Sequence, residues 1–232
     1  MGKRLIIQAR GKGSLTYRVR RAAYRFKIKY PRLEGEAEIL SLIHSPGHSA
    51  PLLKLKVKNE VFYNPAFNGS FVGQKIVLGG NQVGEGNIML IGNIPVGTKV
   101  YNVELNPGDG GKMMRAAGNY STVFKVYEHN KMSILTLKKK EIIVGNDCRA
   151  TIGTIAGHGR NMKPFVTAGK KYYKMKARGK KWPRTSAVKM NAIDHPFGSG
   201  RGKRIKQKIA RKNAPRGTRV GHLRPRRTGR RK

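Results

Sequence analysis

The chain has 232 residues and sets 50 Lys+Arg against 11 Asp+Glu, a formal net charge of +39. That length allows one large or two small domains with real cores, but a compact body carrying so much uncompensated charge repels itself, so a polyanionic partner is expected. Membrane and secretory readings are disfavoured: no stretch approaches the roughly 20 apolar residues of a spanning helix, the basic segments lack the apolar face of an interfacial helix, and Met1-Gly2-Lys3-Arg4 opens no signal-peptide core. A single cysteine, Cys148, rules out an internal disulfide, argues against a cysteine zinc site and fits a reducing cytosol.

The charge is unevenly spread. Residues 1–32 hold 11 Lys/Arg and no acid, residues 33–162 hold 14 Lys/Arg and 10 acids, and residues 163–232 hold 25 Lys/Arg with Asp194 as the one acid. Nets of +11, +4 and +24 describe a nearly balanced middle that can bury a core, flanked by two cationic arms that meet a partner. In the first arm the candidate contacts are Lys3, Arg4, Arg10, Lys12, Arg18, Arg20, Arg21 and Arg25.

The middle reads as β. Leu53-Lys54-Leu55-Lys56-Val57-Lys58 alternates apolar and basic residues, as a half-buried strand does. Similar runs are Glu38 to Ile43, Gln74 to Leu78, Asn87 to Ile91, Lys99 to Leu105, Thr122 to Glu128, Ser133 to Leu137, Glu141 to Val144 and Ala150 to Ile155. Gly79-Gly80-Asn81, Asn93-Ile94-Pro95, Asn106 to Gly111 and His129-Asn130-Lys131 punctuate them as turns. So many short strands favour closed barrels, which remove exposed edges, and a boundary near Gly92 to Pro95 makes two of them.

From Ala168 onward there is no sustained apolar period of 2 or 3.6, so burial cannot offset the entropy of ordering the chain, and this arm is expected to be disordered alone. A helical turn or two is predicted within Arg201 to Lys212, where Ile205 and Ile209 sit four apart. Lys170-Lys171-Tyr172-Tyr173-Lys174-Met175-Lys176 and Arg178-Gly179-Lys180-Lys181-Trp182-Pro183-Arg184 interleave cations with flat side chains, the mixture that neutralises phosphates and stacks on bases. The plainer alternative is a solvated basic tail, which the aromatics argue against.

Catalytic and metal readings are weaker. Pro46-Gly47 spoils a helical pairing of His44 with His48, and no third ligand is evident. Gly198-Ser199-Gly200-Arg201-Gly202-Lys203 lacks the P-loop spacing and the hydroxyl after the lysine, and reads instead as backbone that adapts to phosphate. His158, in Gly157-His158-Gly159-Arg160, suits a loop hydrogen bond or an RNA contact. Asp194-His195 invites a proton-transfer reading, but neighbours in sequence rarely face each other, and a compact turn making positioning hydrogen bonds is the simpler expectation.

Four ordered blocks carry a resemblance. Ile94-Pro95-Val96-Gly97-Thr98 with Asn102-Val103-Glu104, Pro107-Gly108-Asp109-Gly110-Gly111 running to Arg115-Ala116-Ala117-Gly118, Asp147-Cys148-Arg149-Ala150-Thr151-Ile152-Gly153, and Met190-Asn191 through Gly198 resemble the signature blocks of the ribosomal protein L2 family. The likeness spans essentially the whole chain, and Asn191 to Gly198 with Arg211-Lys212-Asn213-Ala214-Pro215 is similar to archaeal members. Two places depart from it: Thr185-Ser186-Ala187 stands where relatives commonly have an Arg-Gly pair, and Ala192 where bacterial members have proline.

The resemblance implies a mainly β protein: a basic extension (1–34), an OB-like RNA-binding barrel (35–92), an SH3-like barrel (93–165) and an extended basic arm (166–232). It implies a non-enzymatic constituent of the large ribosomal subunit in the cytoplasm, a primary rRNA binder supporting assembly, subunit association, tRNA binding and organisation near the peptidyl transferase centre. Its partners would be large-subunit rRNA, other ribosomal proteins and small-subunit contacts at the interface, with no membrane, no homo-oligomer, and no cofactor or metal apart from magnesium accompanying the RNA. The histidine matching His195 has been proposed in the family to assist peptide-bond formation, although RNA is generally regarded as the catalytic centre. Besides the first arm, the RNA contacts so implied are Lys112, Arg115, Arg149 and Arg160 in the middle. In the second arm they are Lys170, Lys171, Tyr172, Lys174, Lys176, Arg178, Lys180, Lys181, Trp182 and Arg184; then Asn191, Asp194 and His195; then Arg201, Lys203, Arg204, Lys206, Lys208, Arg211, Lys212, Arg216, Arg219, Arg224, Arg226 and Arg227.

Overall fold

The computed structural model describes residues 5, 12–127, 129, 131–137, 140–198, 209–210, 220 and 222–223. The protein is mainly β. Ten strands form one hydrogen-bonded network: β1 Gly35–Ile43, β2 Leu52–Val57, β3 Glu60–Pro65, β4 Lys75–Leu78, β5 Ile88–Leu90, β6 Lys99–Tyr101, β7 Ser121–Tyr127, β8 Met132–Leu137, β9 Lys140–Gly145 and β10 Arg149–Ile152. Their order is β3-β2-β1-β4-β5-β10-β6-β7-β8-β9. All pairings are antiparallel except β4 with β5, which meet in parallel at Leu78 and Ile88.

The period of two does what it predicts. Leu53, Leu55 and Val57 on β2 are buried while Lys56 between them is exposed. Ala37 and Ile39 on β1, Ile76 and Leu78 on β4, Val123 on β7, Leu135 on β8 and Val144 on β9 point into the same contiguous core. β1 carries an extra residue, since its register against β2 shifts between Ile39 and Ser41, and beyond that bulge Leu42 faces out. β10 is covered on both faces, with Ala150, Thr151 and Ile152 all buried. Supplied late in the sequence, it lies between β5 and β6 and so joins the strands before the Gly92 to Pro95 segment to those after it.

The sequence patterns miss β3 because its inward residue beside Phe62 is Asn64, fully buried and polar, followed by Pro65. Two expected strands stop early for backbone reasons. Asn102 takes φ +48 and ends β6 at Tyr101, and Gly153 takes φ +116 and ends β10 at Ile152.

By contact density the chain divides into two compact units, Arg20–Ala168 and Met1–Val19 with Gly169–Lys232. The second contains a helix the sequence did not announce: α1, Ala168–Ala177, with no buried residue. Without an apolar face it has no 3.6 period to detect, and it is built from strong helix formers (Ala168, Lys170, Lys171, Lys174, Met175, Lys176, Ala177). Its end is well defined. Gly179 N–H donates to Lys176 O and Lys180 N–H to Met175 O, with Gly179 at φ +63, the hydrogen-bond pair of a Schellman cap. The helical turn expected within Arg201 to Lys212 is not formed at Ile209–Ala210, a two-residue strand (β11) parallel to His222–Leu223 (β12); the rest of that segment lies outside the described residues. Among the described residues no helix is long and apolar enough to cross a membrane.

Candidate nucleic-acid interface

In the β unit the glycine-rich loop at 107–111 wraps a carboxylate. Glu104 is 0% exposed. Its Oε1 accepts from Gly110 N–H (2.9 Å) and Arg149 Nη2 (3.1 Å), and its Oε2 from Gly108 N–H (3.3 Å), Arg149 N–H (2.9 Å) and Arg149 Nε (3.5 Å). Asp109 braces the same loop by accepting from the backbone N–H groups of Leu105, Asn106 and Gly111. Burial alone would raise the Asp109 carboxyl, but those three donors and Lys112 outweigh it and hold it below the ordinary range. Beneath lies a buried polar chain. Tyr30 OH donates to Asn102 O (2.7 Å) and meets Thr151 Oγ1 (2.6 Å), while Asn64 Nδ2 donates to Thr151 Oγ1 and Asn102 Nδ2 to Asn64 Oδ1. Burial drives the Tyr30 phenol well above its usual value, so it stays neutral and available as a donor.

Three arginines expected as RNA contacts, all partly exposed, make hydrogen bonds within this unit. Arg149, besides Glu104, donates to Pro31 O at 2.6 Å and lies over the Tyr30 ring. Arg115 donates to Asn102 Oδ1 (2.9 Å), Ile28 O (3.1 Å) and Gly111 O. Arg160 donates to Ser49 O and His48 O. Lys112 is exposed with its Nζ 3.6 Å from Asp109, and Arg20, Arg21 and Arg25 are exposed around a short turn at Arg21–Tyr24. His44 and His48 form no ligand pair: His48 Nδ1 lies 2.8 Å from Ser45 Oγ, whose hydroxyl donates to Ala23 O. Among the described residues no three His, Cys, Asp or Glu side chains converge as a metal would need.

The other unit brings the cation and aromatic motif together in space. Lys171 Nζ lies 5.2 Å from the Trp182 ring centre, Lys176 Nζ lies 5.4 Å from Tyr172, and Tyr172 and Tyr173 meet edge to face. Lys12, Arg18, Lys170, Lys180, Lys181 and Arg184 are exposed; Lys174, Lys176 and Arg178 are half-buried. Trp182, Lys181, Arg184, Asp194 and His195 line one cavity of about 700 Å3. Sequence reasoning missed Tyr17, Met175 and Met190 on its wall. The one trace of Tyr17 is Gly179, where a Cβ would stand 2.9 Å from Tyr17 O, so the first arm's backbone runs against the end of α1.

Asp194 and His195 sit in a compact turn. Asp194 and His195 N–H groups both donate to Asn191 O, and Gly198 N–H donates to His195 O. The His195 Nδ1 accepts from Phe197 N–H at 3.0 Å, which leaves the proton of the neutral ring on Nε2, and burial lowers the ring's pKa from its ordinary value. Asn191 is exposed beside them. Lys3, Arg4, Arg10, Arg201, Lys203, Arg204, Lys206, Lys208, Arg211, Lys212, Arg216, Arg219, Arg224, Arg226 and Arg227 lie outside the described residues.

The family model for the C-terminal domain of ribosomal proteins L2 matches residues 84–217, more than half of the chain. The chain belongs to the ribosomal protein L2 family. Its likeness to members of that family runs end to end. It is 44% identical over 239 residues to the large ribosomal subunit protein uL2 of Hyperthermus butylicus, with all of both chains covered. It is 43% identical over 236 residues to that of Archaeoglobus fulgidus, covering 99% of each, and 43% identical over 244 residues to that of Methanocaldococcus jannaschii, covering all of both. The blocks that resemble the family include the Glu104 loop, β10 with Arg149, and the Asn191 to Gly198 turn.

Proposed function

We propose that this protein is a structural, non-catalytic constituent of the large ribosomal subunit, working in the cytoplasm as a primary rRNA binder. Full-length identity to proteins named for that subunit is the observation that carries the reading. The charge partition supports it, because a +24 segment with one acid is stabilised by releasing the counterions of a polyphosphate. In this reading residues 35–92 are an OB-like barrel and 93–165 an SH3-like barrel, between the basic segments 1–34 and 166–232. The pairing of β1 with both β2 and β4, and the β6-β7-β8-β9 meander, suit that division. The exposed Lys and Arg side chains neutralise phosphate, the 163–198 aromatics stack on bases, and the Asn191 to Gly198 turn is a wedge that His195 stiffens near the peptidyl transferase centre. Support of assembly, subunit association and tRNA binding follows from that position, with other ribosomal proteins and the small subunit as neighbours.

Titrating salt against affinity for large-subunit rRNA tests this. Each phosphate contact adds about 0.9 to the log-log slope on duplex and about 0.7 on single strands, so a steep negative slope is expected and a slope near zero overturns the reading.

A further inference from the structure

The strand order ends on β3 at one side and on β9 at the other. The β3 edge is covered by this chain's own backbone, since Ile28 bridges to Tyr63 and Lys29 N–H donates to Tyr63 O. Among the described residues nothing of the kind covers β9. Its pairs with β8 run from Leu137 with Lys140 to Met132 with Gly145, and one step further Asn146 N–H donates to Lys131 O. Bonded and non-bonded pairs alternate along an antiparallel ladder. Ile142 and Val144 therefore turn their backbone groups toward β8, while Glu141, Ile143 and Gly145 turn theirs outward. The sheet face that carries Ile143 is apolar: Ile143 stands in a cross-strand row with Ile134, and Gly145 in one with Met132 and Tyr127. Ile143 is 65% exposed and Met132 48%. On the other face Val144 and Leu135 are buried, and Ile142 lies half covered at the margin of the core.

Charge decides what can cover this edge. Among the described side chains on the Ile143 face the formal charges are Lys125 and Glu141, which cancel, and Lys125 Nζ already lies 4.7 Å from the Tyr127 ring centre. RNA is bound through cations that release its counterions, so in a chain of net +39 this neutral face is the wrong place for phosphate. A second copy is disfavoured because two such chains repel each other. Lys138-Lys139-Lys140 precede the apolar run in sequence, the placement that keeps such a strand from pairing with stray chains. A polypeptide strand satisfies both features of the edge: its backbone pairs with the outward groups of Glu141 and Ile143, and apolar side chains on its two faces cover Ile143 on one side and Ile142 on the other. We infer that β9 is a docking edge for an extended apolar segment of another protein, which joins the sheet as a further strand. The inference rests on the large-subunit reading proposed above and gives a protein neighbour a defined place on this chain.

Photo-crosslinking from position 143 tests this, with p-benzoylphenylalanine in place of Ile143 in the full-length chain, where the side chain already faces solvent. After irradiation of purified large subunits carrying that chain, the expected product is an adduct to one other protein, and the captured peptide should map to an extended apolar segment. That segment, made as a labelled synthetic peptide, should then bind the free full-length protein saturably at salt high enough to screen surface charge. Ile143→Lys should weaken the peptide at least about 10-fold, the effect of losing one buried aliphatic side chain, with the circular dichroism unchanged. Should that variant misfold, Met132→Lys tests the same face from the neighbouring strand. An adduct to rRNA, to a second copy or to this chain's own arms overturns the docking edge, as does the absence of any adduct. So does a peptide that fails to bind, or that binds the variants equally well. In each of those events co-sedimentation of the chain with the large subunit leaves the proposed function standing, whereas absence of the chain from the subunit removes both.

Discussion

Removing the Glu104 carboxylate tests whether Arg149 holds the fold, as distinct from the exposed cations proposed to meet RNA. In Glu104→Ala the backbone N–H groups of Gly108, Gly110 and Arg149 lose their acceptor, and the Arg149 guanidinium, whose side chain is 20% exposed, loses its counter-charge. Breaking a buried ion pair by deleting one partner costs about 3–5 kcal/mol, and orphaned donors cost about 1–3 kcal/mol each unless the loop opens to water. Opening caps the total, since the Pro107 to Gly111 segment can unravel, so a loss of about 3–5 kcal/mol is expected. Glu104→Gln keeps the shape but turns an NH2 toward donors and should cost about half as much. Urea unfolding of full-length protein, followed by circular dichroism, gives both values; a loss under about 1 kcal/mol for Glu104→Ala would refute the reasoning. Arg149→Met should destabilise comparably, while the RNA affinity of its folded fraction changes less than after Lys181→Gln. The double variant Glu104→Leu with Arg149→Met should recover only the part of the loss due to the unpaired guanidinium, because the backbone N–H groups of Gly108, Gly110 and Arg149 still lack an acceptor.

Neutralising Lys180 and Lys181 together should lower the magnitude of the salt slope by about 1.4 to 1.8 if both touch phosphate, measured by filter binding across a salt series. At Gly198 a Cβ would lie 2.3 Å from Asn191 O and 2.6 Å from Met190 O, so Gly198→Ala should open the turn and impair incorporation into subunits, read as a lower occupancy in purified particles. In assembled ribosomes His195→Gln should leave peptide-bond rates near normal and His195→Ala should act through assembly; a large rate loss for both in fully assembled particles would speak for proton transfer. The turn's pH dependence has a definite sign. Burial depresses His195 in the folded state, so its contribution is complete above the ordinary histidine range and is lost as pH falls through that range toward the lower native value, where protonation removes the Nδ1 acceptor. Proton NMR of the His195 ring against pH checks it, and a midpoint above the ordinary value would contradict it.

The β character of the middle was legible because its inward residues are apolar: β2, β4 and β8 stand where their alternation puts them. β3 was not, since the residue it buries beside Phe62 is Asn64, whose role depends on Thr151 and Asn102 far along the chain. α1 was invisible for the opposite reason, being stabilised by propensity and a glycine cap without burying a face. At the candidate site the residues singled out around Trp182 and in the Asp194-His195 turn come together on one cavity. Charge alone could not distinguish Arg149, bonded to Glu104, from the exposed Lys181. It also had no signal for Tyr17, which only the folded backbone brings beside Gly179.

The most direct test of the account is sedimentation of the tagged chain, expressed in an archaeal cell, through a sucrose gradient at moderate and high salt. It should travel with the large subunit and stay there as salt rises enough to strip loosely held proteins. Recovery at the top of the gradient, or with bulk single-stranded RNA in place of the subunit, would contradict the central claim.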